Sequence, residues 1–168
     1  MNPELQGLLT AATPERLRAL IPAVYGIHDG VDQRIEALLL RSQPEALAGQ
    51  LKQRIQSIAR GTRFIDYRQC TEFCRTLDRL IDDIALLIDS APKRAFELAD
   101  RLMATHEAVY NRSDDSGGDI GGSYAHGLEV WLTAASRWRA TGDCKLDWPK
   151  HYRMCSFLSA QNFLFHQN

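Results

Sequence analysis

From Cys70 onward the apolar residues advance in steps of three and four: Cys70, Cys74, Leu77, Ile81, Ile84 and Ile88. That spacing gathers them on one side of an α-helix and leaves the other side polar. A strand would throw them onto alternate faces, so the pattern admits one backbone conformation. It predicts a long helix over Tyr67–Asp89, capped by Asp66.

The rest of the chain repeats the pattern with punctuation between stripes. Thr13-Pro14 opens a helix to about Tyr25, with Leu17, Leu20, Ile21 and Val24 on one face; threonine caps, and proline needs no amide partner at the first position. After Asp29-Gly30 a helix from Val31 to Arg41 is expected to turn Ile35, Leu38 and Leu39 inward. Ser42 and Pro44 open another, striped by Leu47, Leu51, Ile55 and Ile58, with Gly61 placed to end it in a left-handed conformation. Ser90 and Pro92 open a helix carrying Phe96, Ala99, Met103, His106 and Tyr110. Leu128, Trp131, Leu132, Ala135 and Trp138 mark a further helix that Gly142 ends, and a short helix is expected after Pro149. No segment alternates apolar and polar residues over strand length. The fold class is therefore all-α: antiparallel helix pairs in a tetratricopeptide-like bundle or short solenoid. The expected organisation is a single helical domain, 1–168, made of N-terminal helices (1–62), long hairpins (63–142) and an aromatic-rich C-terminal segment (143–168).

The 168 residues suffice for one core, and no apolar run reaches the length of a membrane span. The N-terminus lacks the basic-then-apolar pattern of a secretory signal, so a cytoplasmic location without membrane partners is expected. The cysteines Cys70, Cys74, Cys144 and Cys155 form no Cys-x-x-Cys pair. They are expected as thiols, Cys70 and Cys74 packing as small hydrophobes.

Two segments carry a resemblance. "RFIDYRQCTEFCRTLDRLIDDIALLID" (63–89) and "RAFELADRLMATHEAVYNRSDDSGGDIGG" (94–122) resemble an uncharacterised bacterial all-helical family, also found C-terminal to SWIM zinc fingers. The shared features are a Phe-Ile-Asp-Tyr-Arg helix start, an Asp-Asp-Ser-Asp-Gly loop and a Leu-Asp-Trp segment, here Leu146–Trp148. Gly117 stands where the loop pattern expects Asp, and the zinc-finger ligands are missing. After about residue 155 the pattern is lost, as in a short or truncated member. The resemblance implies an α-helical, tetratricopeptide-like scaffold and no particular chemistry.

The loop "NRSDDSGGDIGGSYAHG" (111–127) holds the candidate site residues. Asp114, Asp115 and Asp119, with His126, and His106 as a further candidate, are the types that ligate a divalent cation. The EF-hand register fails: counted from Asn111 the twelfth position is Gly122, and from Asp115 it is His126. The structural alternative is a helix–helix connection. Asp119 or Ser123 would cap the next helix, Ser113 and Ser116 would shape the turn, and Gly121 and Gly122 would allow close approach of a neighbouring helix.

The stretch "KQRIQSIARGTRFIDYR" carries Lys52, Arg54, Arg60, Arg63 and Arg68 against Asp66 alone. With a formal net charge of −1, its charges are expected to answer Asp78, Asp82, Asp83 and Asp89 rather than nucleic acid. The sequence shows no complete catalytic motif, and no catalytic or cofactor-binding residue is assigned. The expected function is a non-catalytic helical adaptor that binds another protein or its own copy. The alternatives are a metal-ion-binding protein or metal-dependent enzyme centred on the 113–126 loop and, more weakly, a nucleic-acid accessory domain.

Overall fold

The computed structural model describes residues 2–144. In chain order the helices are α1 (Pro3–Ala11), α2 (Pro14–Val24), α3 (Asp29–Leu39), α4 (Pro44–Arg60), α5 (Tyr67–Ala85), α6 (Pro92–Met103), α7 (His106–Tyr110) and α8 (Asp119–Ala140). A 3-10 turn at Leu40–Ser42 precedes α4. The described residues contain no strand, only one isolated bridge between Ile65 and Ser113. The protein is all-α. The expected helix after Pro149, the Leu146–Trp148 segment, Cys155 and the aromatic tail lie outside the described residues.

Contacts divide the chain into two units, Met1–Leu39 and Leu40–Asn168, a boundary well before the punctuation at residue 62. In the first unit the helices rest on local signals. Asn2 accepts from the Glu4 amide (2.9 Å), and Thr13 from that of Arg16 (3.4 Å), ahead of prolines at the helix starts. Gly26, at φ +87°, turns the chain after α2; its amide donates to Asp32 at 2.9 Å. Ala37 alone is buried in this unit, and Leu38 and Leu39, expected inward, are exposed.

The second unit holds four long helices whose directions follow from their contacts. Lys93 lies over Trp138, Phe96 packs on Trp131 and Met103 faces Gly127, so α6 and α8 are antiparallel. Asp82 meets His126 and Asp89 meets Arg137, so α5 and α8 run parallel. Glu45 reaches Arg94, while Ile58 reaches Arg112 just past α7, so α4 runs with α6. Successive long helices therefore alternate in direction, the expected antiparallel pairing. Between them lie Leu47, Leu51, Leu77, Ile81, Ile84, Leu102, Ile120, Tyr124 and Trp131, all essentially inaccessible. Burying each large apolar side chain contributes about 1.5–3 kcal/mol. The ion pair Arg54–Asp83 (2.6 Å) crosses this core from α4 to α5, with Asp83 wholly buried. At Gly127 an added Cβ would sit 3.1 Å from the Met103 sulfur, so its bare backbone sets the α6–α8 approach.

Several local expectations are corrected. Ser42 and Ser90 do not cap: the positions before Pro44 and Pro92 are Gln43 and Ala91, neither with a side-chain cap bond, so each serine lies one residue too early. Gly61 is extended (φ −61°, ψ 127°), not left-handed. Its requirement is space, because a Cβ there would meet the Arg112 guanidinium at 2.9 Å. The helix expected through Tyr110 breaks after Met103 into α6 and α7, and α5 stops at Ala85. Leu132 is 49% exposed rather than inward.

Candidate functional site

The two motifs of the resemblance meet at one end of the second unit. The Asp66 carboxylate accepts from the Gln69 amide (3.1 Å) and starts α5. Just before it, the Ile65 amide donates to Arg112 O (2.8 Å), and the Asp114 amide donates to Ile65 O (2.9 Å). These two bonds form the Ile65–Ser113 bridge, and the Ile65 side chain is buried beside it. Arg112 ties the same strands of chain: its guanidinium donates to Arg63 O (3.1 Å) and to Ile58 O (3.0 Å). The second of these satisfies a carbonyl in the last turn of α4, where no helical amide is available.

The acidic loop closes on backbone amides. Asp114 Oδ1 accepts from the Ser116 amide (3.3 Å), a local turn. Asp115 reaches across to α8, accepting from the Ile120 amide (2.9 Å) and the Gly121 amide (3.1 Å). A carboxylate there also complements the positive end of the helix dipole. Ser113 Oγ donates to Tyr110 O (3.1 Å). The expected caps are corrected: Asp119 is the first residue of α8 and Ser123 is buried within it, after Gly118 has turned the chain at φ +75°. Gly122 has nothing within 4 Å of an added Cβ, so it permits no close helix approach; Gly127 has that role.

Asp119 and His126 line a shallow groove of about 430 Å³ between α5 and α8, with Thr71, Cys74, Asp78 and Ser123. His126 faces Asp82 at 3.7 Å. Asp114 and Asp115 are outside this lining, and among the described residues no three His, Cys, Asp or Glu side chains gather as metal ligands. His106 belongs to the core, edge-on to Tyr124 (4.7 Å) and stacked on Tyr110 (5.8 Å); burial lowers its pKa and favours neutral imidazole.

Cys74 is pushed up to about 11 by burial, and Cys70 is raised by burial and then by Asp115 and Asp114. At neutral pH both remain thiols and poor nucleophiles. The Thr105 hydroxyl donates to Leu102 O (2.6 Å), so the Tyr124 hydroxyl, 2.7 Å away, donates to Thr105; burial lifts Tyr124 to about 12. Of the basic stretch, Arg54 answers Asp83 as expected, whereas Asp82 and Asp89 are met by His126 and Arg137 of α8. Arg60, Arg63 and Arg68 are exposed and have no ion-pair partner among the described residues. The part played by Arg112 has no sequence signal, since it depends on carbonyls about fifty residues away.

Fold and junction define a class: an all-α protein whose paired helix ends are locked by capping carboxylates and one buried arginine. A profile of a family of unknown function (DUF6880) matches residues 7–141, and the chain belongs to that family. No curated protein and no solved structure matches it. No helix among the described residues is long and apolar enough to cross a membrane.

Proposed function

We propose that this protein is a non-catalytic helical adaptor that works by binding another protein or a second copy of itself. The observation that carries the reading is the engagement of the acidic loop. Asp115 holds two amides of α8 and Asp114 one amide of its own turn, so the carboxylates best placed for chemistry hold backbone instead. The protonated Cys74 thiol and the core position of His106 support it.

A cytoplasmic, bacterial setting belongs to the same proposal. The free thiols of Cys70 and Cys74 fit a reducing compartment, and the bacterial source rests on the resemblance. So does kinship with the helical regions beside SWIM zinc fingers. Its support is that Ile65 of one shared motif is bridged to Ser113 of the other.

The test sets wild type beside Asp115→Ala and Asp114→Asn. Asp115→Ala should lower the melting temperature, since removing a helix cap costs about 0.5–2 kcal/mol. Hydrolase and transferase substrates should show no turnover that either substitution abolishes. Calcium, magnesium, manganese, zinc and EDTA should leave the wild-type melting curve in place, because an ion bound to the folded state alone must raise it. A turnover lost on substituting Asp114 or Asp115, or an ion-dependent rise that Asp115→Ala removes, would overturn the proposal.

A further inference from the structure

The segment from residue 60 to residue 68 divides into side chains that the fold uses and side chains that it does not. Ile65 is buried, Asp66 caps α5, and Arg112 holds the carbonyls of Ile58 and Arg63. With the two backbone bonds of the Ile65–Ser113 bridge, these contacts fix the path of the chain. None of them uses Phe64, Tyr67, Arg60, Arg63 or Arg68 through its side chain. Phe64 and Tyr67 stand 58% and 60% exposed, and the three arginines project around them without an ion-pair partner among the described residues. Gly117 lies against the Tyr67 ring, where an added Cβ would make ordinary contact at 3.5 Å; having no side chain, it leaves that ring edge uncovered.

We propose that Arg60, Arg63, Phe64, Tyr67 and Arg68 form a docking surface for an acidic segment of another protein. The rings take apolar side chains of that segment, and the arginines take its carboxylates. This rests on the adaptor reading and names the chemistry of the partner. Charge selects the occupant: the only acid between residues 60 and 68 is Asp66, and its carboxylate is engaged by the Gln69 amide. Guanidinium groups grip carboxylates in bidentate fashion, and Arg, Tyr and Phe are the types enriched at protein interfaces. The pinned backbone presents them with little left to order, which lowers the cost of binding.

Single-stranded nucleic acid also stacks on rings and pairs with arginine, but the surroundings oppose it. Exposed Asp114 and Asp119 lie on the adjoining loop and at its helix start, and no basic track continues beyond the three arginines for a phosphate backbone to follow.

The experiment is selection of random displayed peptides on the full-length protein, in parallel with Arg63→Glu/Arg68→Glu and Phe64→Ala/Tyr67→Ala. All four side chains are exposed, so both variants should keep the wild-type melting curve. Peptides selected by wild type should be rich in Asp and Glu with apolar residues between them. Their affinity should fall about tenfold or more in each variant, as for anchor residues, and should weaken as salt rises. Absence of selected peptides, peptides without acidic bias, equal binding by the variants, or tighter binding of a labelled oligothymidine would each overturn the docking surface. Equal binding by the variants would leave the adaptor reading standing. A turnover dependent on Asp114 would remove that reading and leave the peptide measurements intact.

Discussion

Helices α2 and α4 are built to the same local plan and meet different fates. Each begins with proline and carries a four-residue apolar stripe: Leu17, Leu20, Ile21 and Val24 in one, Leu47, Leu51, Ile55 and Ile58 in the other. The α2 start is the better capped, since Thr13 accepts from Arg16 while Gln43 makes no side-chain cap bond. Yet no residue of α2 is buried and Leu20 is 50% exposed, whereas Leu47 and Leu51 are inaccessible. Good capping thus says nothing about whether a stripe joins a core. That depends on other helices arriving to cover it, as α5 and α6 cover α4.

The contrast can be broken most sharply at Arg54. Arg54→Met would leave the buried Asp83 carboxylate without its cation, and removing one partner of a buried pair costs about 3–5 kcal/mol. Urea unfolding measures this. A loss below about 1 kcal/mol would place the pair with exposed ion pairs and weaken the distinction between the units.

A matched pair of truncations comes next. Leu51→Ala should cost about 2–5 kcal/mol, as large-to-small changes in a core do. Leu20→Ala should stay within about 0.5 kcal/mol, as at an ordinary surface site. Equal losses would mean that the α2 stripe is covered in solution.

The smallest effect is the dependence on pH. Burial holds His106 below its ordinary 6.5, with Asp115 and Glu107 opposing the shift and Tyr110 and Tyr124 against the ring. The unfolded chain therefore takes up this proton first. The contribution to stability is complete above pH 6.5 and declines as the pH falls below it. His106→Asn should flatten that part of the stability profile, while His28→Asn, an exposed change in the first unit, should retain it. An unchanged slope in His106→Asn would mean that another group titrates.

Much of the candidate site was visible as residue types but not as partnerships. Asp66 was legible as a cap because its partner, Gln69, is three residues away. The choice between Asp115 and Asp119 was not. Asp119 stands at the better sequence position, but the left-handed turn at Gly118 makes it the first helical residue and swings Asp115 over the α8 amides. Gly61 was legible as a helix end, yet its reason was hidden, since the guanidinium beside it comes from residue 112.

By itself the sequence determined that this chain is all-α, where most of its long helices begin, and which face of α5 turns inward. Those outcomes depend on apolar spacing and on caps within about four residues, distances over which sequence and space coincide. The tertiary structure alone decided that the acidic loop is a lock, that Arg112 staples α4 to it, and that Phe64 and Tyr67 remain outside. Whether a carboxylate faces a cation or an amide, and whether a ring is covered, depends on groups that only the folded chain brings within reach.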